Sequence, residues 1–212
     1  MYFFDLDGTL LDSNGVWTDI DREFLRRVGV DSVPEDYTDY VSHHSFPESA
    51  AYTRTRYHLD MTDEEIMDTW RALAREAYAG TLELKPHVRD FLERARQAGK
   101  RCAVLSASIP AMCRMALERH GLLDYFEEIF TTQELGVEKW EQELYRKVEQ
   151  LCGVAPEECI FFDDSPVNCA SAARAGWTVY GVHDHLYTGR EEEFFAACGK
   201  ENYPFSFRSP LP

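Results

Sequence analysis

Tyr2-Phe3-Phe4-Asp5-Leu6-Asp7-Gly8-Thr9 reads as a short buried strand that stops at two carboxylates and a glycine. An apolar run of this length, bounded by turn residues, suits a strand covered on both faces. Side chains at i and i+2 share a direction along a strand, so Asp5 and Asp7 leave it near each other, and Gly8 permits a sharp turn. An Asp-rich loop is also ordinary turn chemistry. The stretch alone leaves turn and site both open.

The same kind of strand signal recurs downstream, at residues 101–105, 128–130, 159–162 and 178–182. Amphipathic helical patterns at 86–98, 109–120, 141–152 and 167–175 alternate with these runs. Strand, helix, strand in repetition predicts an α/β, Rossmann-like, mostly parallel sheet with helices on both faces. Helix punctuation agrees: Pro86 and Pro110 fall in first turns, Ser108 is a candidate N-cap, and Gly99, Gly121, Gly153 and Gly176 stand just past helix ends. Between residues 14 and 80 the alternation breaks, leaving helical patterns at 18–28 and 62–79 and no buried strand. Thr62-Asp63-Glu64-Glu65 opens the second of these as a capping box. The chain therefore divides into a core of residues 1–13 and 81–212 and an inserted α-helical cap, residues 14–80. After a last helix at 191–198, a Pro-ended tail is expected to pack loosely.

Composition narrows the partners. With 22 Lys and Arg against 38 Asp and Glu, the formal net charge is −16, a surface that repels nucleic-acid backbones and anionic membranes. Any phosphate site on such a chain must be locally positive, through a metal, a lysine and backbone amides. Hydrophobic residues make up 44% and charged residues 28%, an ordinary globular balance. No stretch reaches the ~20 apolar residues of a membrane helix, and the opening residues lack the features of a secretory signal. A cytoplasmic location is expected. The six cysteines (102, 113, 152, 159, 169 and 198) lack CxxC or Cys/His ligand spacing and are expected to be reduced and mostly buried.

A second strand signal ends in carboxylates at Phe161-Phe162-Asp163-Asp164-Ser165. Strand ends of one sense open on one sheet edge, so Asp5, Asp7, Asp163 and Asp164 can converge on a hard cation such as Mg²⁺. Ser106 follows the 103–105 run in the same manner, although small hydroxyl residues also cap helices. Lys139 precedes a helix in Gly136-Val137-Glu138-Lys139-Trp140, where its charge can meet a phosphate oxygen or simply be solvated.

In order and spacing these motifs resemble the haloacid dehalogenase-like superfamily over nearly the whole chain, and the insertion resembles the first-type cap of its phosphatases and phosphomutases. The resemblance implies Mg²⁺ as cofactor and a small phosphorylated metabolite as substrate. It makes Asp5 the nucleophile that forms an aspartyl-phosphate, Asp7 the general acid and base, and Ser106 and Lys139 the groups that meet the phosphoryl. Asp5, the Asp7 carbonyl and Asp164 are the implied metal ligands, supported by Asp163 directly or through water. An acid at position 7 favours phosphoryl transfer, since dehalogenating relatives lack one there. Trp140 departs from the family pattern, which has proline after the lysine, and Ser108 is an alternative to Ser106. His43, His44, Arg54 and Arg56 are candidates for substrate contact in the cap. A phosphomutase on the same scaffold, a non-catalytic phosphate-binding or regulatory domain, and a monomer or a dimer all remain open.

Overall fold

The computed structural model describes residues 1–43 and 46–212, with side chains described throughout those ranges except at Glu35, Asp39, Ser42 and His43. Five strands, β1 (Tyr2–Phe4), β2 (Cys102–Ser106), β3 (Glu128–Thr131), β4 (Ile160–Asp163) and β5 (Thr178–Gly181), form one parallel sheet in the order β3-β2-β1-β4-β5. The expected α/β class is what the chain adopts. Strand order reverses at β1, whose neighbours are β2 and β4, and ligand crevices open at such a reversal. Phe4 pairs with Phe162, and the Asp5 amide donates to the Phe162 carbonyl at 2.9 Å. Asp5 and Asp163 therefore leave adjacent strands side by side.

Because side chains alternate across a strand, the successive phenylalanines of β1 and β4 serve opposite layers. Phe3 and Phe161 face a core that includes Ala103, Leu105, Tyr145, Val148, Trp177 and Val179. On the other face Phe4 stacks on Phe162, with centroids 4.7 Å apart, and both meet Phe91 edge to face. The covering helices are α5 (Val88–Gln97), α6 (Pro110–Arg119), the short α7 (Thr132–Leu135), α8 (Gln142–Cys152), α9 (Pro166–Arg174) and α10 (Glu191–Cys198). Gly99, Gly121, Gly153 and Gly176 all take positive φ at or beyond helix ends, where an L side chain is disfavoured.

Two sequence expectations are overturned here. Ser108 does not cap α6; Ile109 stands at that position without a side-chain hydrogen bond, and Ser108 instead donates its amide to Ser106 Oγ. The tail is also not loose. Tyr203, Phe205 and Phe207 are buried, and the Phe205 amide donates to the Gly181 carbonyl at 2.7 Å. Phe205 inserts its ring among Phe91, Phe162 and Tyr180, Phe207 joins it against Phe91 and Phe162, and Tyr203 stacks on Phe194 in the opposite core.

The chain divides into two compact units, Met1–Asn14 with Leu82–Pro212, and Gly15–Thr81. The second unit holds α1 (Val16–Arg27), α2 (Glu35–His43), α3 (Phe46–Tyr57) and α4 (Asp63–Gly80). Thr62 caps α4 through the full reciprocal box with Glu65. Trp70 of α4 packs its ring against Phe24 of α1 and Phe46 of α3. Inside the unit the Tyr37 hydroxyl reaches Thr53 Oγ1 at 3.0 Å and donates to Asp21 at 3.4 Å, and burial pushes the Asp21 carboxyl up to about 7. Among the described residues no helix is long and apolar enough to cross a membrane. All six cysteines are free thiols, four buried and two half-buried.

Candidate active site

At the exit of β1 the chain turns on Gly8, φ +81°, and its amide donates to Ser13 Oγ at 3.1 Å. The Ser13 hydroxyl donates in turn to Asp7 Oδ1 at 2.7 Å, fixing that half-buried carboxylate above the strand end. A β-carbon on Gly8 would lie 2.2 Å from Asn14 Nδ2 and 2.3 Å from Asp164 Oδ2. Only glycine fits there, because the β1 and β4 loops close over it.

Lys139 carries the local positive charge that an acidic chain needs. Its ammonium is buried, donates to Asp5 Oδ1, and donates to Asp163 Oδ2 at 3.0 Å. Burial pulls the ammonium pKa down, but Asp163 and Asp5 outweigh that and hold it above the ordinary lysine value. Trp140, which follows the lysine, is 60% exposed. Tyr145 donates its hydroxyl to the Lys139 carbonyl at 2.7 Å, and Ser171 donates to the Trp140 carbonyl at 2.8 Å.

The two acids at the exit of β4 differ in their surroundings. Asp163 Oδ1 accepts from the Ser165 amide at 2.7 Å and the Asn168 amide at 3.2 Å, and Oδ2 accepts from Lys139 and Asn168. A carboxylate has about four acceptor sites. Those of Asp163 are taken up by Lys139, the Ser165 amide and the shared Asn168 nitrogen. Asp164 accepts one bond on each oxygen, from Thr9 Oγ1 at 3.2 Å and Asn14 Nδ2 at 2.7 Å. Each oxygen keeps a direction for a further partner.

The remaining candidates divide between the two units. Ser106 is buried at the end of β2, next to β1, with its Oγ holding the Ser108 amide at 3.0 Å. Arg54 is paired with Asp63 at 2.6 Å and Arg56 with Asp36 at 2.7 Å, both within the helical unit. His44 and the side chain of His43 lie outside the described residues.

The donor set fits a hard divalent cation. Burial raises the Asp5 carboxyl well above its ordinary value, and neighbouring Asp163, Asp164 and Asp7 add to the rise against the opposing pull of Lys139. Burial, then Asp163, pushes Asp164 up to about 7. Carboxylates so placed need more positive charge than one lysine supplies, and oxygen-only ligands match Mg²⁺. Among the described residues, the group of three His, Cys, Asp or Glu side chains whose ligating atoms lie within 4.8 Å of one another is Asp12, Asp184 and His185. There Lys85 Nζ already donates to Asp184 Oδ2 at 2.6 Å. Sequence reading missed Ser13 as the partner of Asp7, and it missed Asn14, Lys85 and Asp184 altogether. The only trace of Asp184 in the sequence is an acid shortly after the fifth apolar run.

The chain is similar to known proteins over most of its length. The chain is 28% identical over 204 residues to Protein CbbY of Rhodobacter capsulatus, covering 92% of this chain and 88% of that one. It is 26% identical over 207 residues to the phosphoglycolate phosphatase of Vibrio vulnificus, covering 91% and 90%. Among solved structures, a Thermotoga maritima protein provisionally named β-phosphoglucomutase superposes with a TM-score of 0.81 at 22% identity, covering 93% of this chain and 91% of that one. The family model for haloacid dehalogenase-like hydrolases matches residues 1–176, and the chain belongs to that family of hydrolytic enzymes.

Proposed function

We propose that this hydrolase is a Mg²⁺-dependent phosphoric monoester hydrolase that cleaves a small phosphorylated metabolite through an aspartyl-phosphate on Asp5, with the Gly15–Thr81 unit as its substrate-reading cap. The observation that carries the reading is the buried Lys139 ammonium shared between Asp5 and Asp163 at the strand-order reversal. A binding module needs positive charge there, but it has no need of a desolvated carboxylate next to it.

In this reading an Asp5 carboxylate oxygen attacks phosphorus while the ester oxygen leaves, and Asp7 gives that oxygen its proton. Water then attacks phosphorus of the acyl phosphate and gives a proton to Asp7, the bond from Asp5 to phosphorus breaks, and inorganic phosphate departs with the Asp5 carboxylate restored. Ser13 holds Asp7 for both transfers through its 2.7 Å hydrogen bond. Ser106 donates to the phosphoryl oxygens, and Lys139 offsets their charge. Asp163 orients Lys139. Asp5, the Asp7 carbonyl and Asp164 would hold Mg²⁺, which when bound acts as a Lewis acid and template for the phosphoryl group.

The test is hydrolysis of an aryl phosphate. Turnover is expected with Mg²⁺, to vanish with a chelator, and to fall at least about 10³-fold in Asp5→Asn, in line with losses on removing a nucleophile. Turnover that survives in Asp5→Asn removes the proposed nucleophile. Interconversion of sugar phosphates dependent on a bisphosphate primer, without net phosphate release, identifies a mutase instead.

A further inference from the structure

Asn14, Lys85 and Asp184 stand outside the proposed reaction but not outside its structure. Asp184 is 2% exposed, immediately beyond β5, and carries a full set of partners. Its Oδ2 accepts from Lys85 Nζ at 2.6 Å, while Oδ1 accepts from the Leu186 amide at 2.9 Å and has His185 Nδ1 at 3.3 Å. Lys85 also donates to the His183 carbonyl at 2.8 Å. The Asn14 side-chain amide donates at 2.7 Å to Asp164 Oδ2.

A primary amide has two N–H donors on one nitrogen, set about 120° apart in a plane. One of them is given to Asp164 Oδ2. The backbone brings these residues together as well: the Asp12 amide donates to the Glu83 carbonyl and the Lys85 amide to the Leu10 carbonyl, both at 2.9 Å. The segments carrying Asn14 and Lys85 thus lie antiparallel, bridged at Leu11 and Leu84, and Lys85 ties the pair to Asp184.

We infer that Asn14, on a segment that pairs with the one the Lys85–Asp184 ion pair holds in place, is a positioning residue that aims the Asp164 carboxylate at the cation, an inference that rests on the reading of Asp164 as a Mg²⁺ ligand. The hydrogen bond from Asn14 spends one acceptor direction of Oδ2 and stops the carboxylate from rotating away. Groups that orient a metal ligand in this way typically change metal affinity or activity about 10–100-fold when removed.

Calorimetric titration with Mg²⁺ alone tests it, on wild type, Asn14→Ala, Lys85→Met and the double variant, each first checked for a folded far-UV spectrum and a cooperative melt. Asn14→Ala is expected to weaken Mg²⁺ about 10-fold or more, and Lys85→Met to weaken it less. The double variant should be no weaker than Asn14→Ala alone, since Lys85 acts through the amide. Asn14→Gln, which keeps a primary amide, should recover part of the loss. Wild-type affinity in Asn14→Ala, or additive losses in the double variant, overturns the inference and leaves the functional reading standing. Failure of the wild type to take up Mg²⁺ overturns both.

Discussion

Two adjacent aspartates, Asp163 and Asp164, show how local hydrogen bonding separates chemically identical residues. Asp163 is saturated by Lys139, Asn168 and the Ser165 amide, whereas Asp164 keeps an open direction on each oxygen. The lysine is therefore held between Asp163 and Asp5, the second of which the proposed mechanism uses as nucleophile. Replacing the ammonium with a thioether of similar length removes the fixed charge opposite the developing phosphoryl charge. Lys139→Met should lower kcat on an aryl phosphate at saturating Mg²⁺ about 10²–10³-fold, the usual cost of losing one preorganised electrostatic donor. A change of less than threefold would show that Lys139 only satisfies Asp163. Asp5, Asp7, Ser106, Lys139 and Asp164 were legible in the sequence because each follows an apolar run or precedes a helix. Asn14, Lys85 and Asp184 were not, because their relation exists only between residues 70 and more positions apart.

At the scale of elements, apolar periodicity located the strands and most helices, and it erred where a terminus depends on hydrogen bonds. The Thr62 box is a local pattern with both partners three residues apart, so it was readable. The start of α6 was not, since Ser108 turned to Ser106 instead. Inside the helical unit, the ties among α1, α2 and α3 through Asp21, Tyr37 and Thr53 escaped notice for the same reason. The raised Asp21 carboxyl makes that tie pH-dependent. Folded Asp21 keeps its proton up to about pH 7, while the unfolded residue ionises near 3.8. Between these values the folded state binds more protons, so stability is lost as pH rises from about 4 to about 7 and is not regained above. With ~1.4 kcal/mol per unit, the loss is at most about 4 kcal/mol. Asp21→Asn should therefore melt higher than wild type at pH 8 and lose that advantage at pH 4. Parallel pH profiles for the two proteins would mean that Asp21 ionises normally.

Across the whole molecule, the chain carries a net charge of −16, and the one buried ammonium among the described residues, Lys139, stands among several carboxylates, so local attraction for an anion requires the cation of the proposed reading. The fold that permits this is a sheet whose two faces are filled largely by aromatic rings. The tail completes one of those faces, which could not be read from the sequence because its Pro-rich end looks like a mobile terminus. Phe205 is the measure of its importance. Its ring lies 4.9 Å from that of Phe162, 5.2 Å from Tyr180, 5.7 Å from Phe91 and 5.5 Å from Phe207, and Phe162 immediately precedes the two acids at the exit of β4. Truncating such a ring leaves a cavity that surrounding rings cannot fill, and costs about 3–5 kcal/mol. For a chain of this size each kcal/mol shifts the melting temperature by about 2–4 °C. Phe205→Ala should melt roughly 10 °C below wild type, with Mg²⁺ affinity nearly unchanged so long as the protein stays folded, because the ring supports the sheet and touches none of the cation's ligands. A melting temperature within about 2 °C of wild type would mean that the tail is dispensable. A large loss of Mg²⁺ affinity in the still-folded variant would mean that the aromatic layer sets the geometry of the β4 exit as well as its stability.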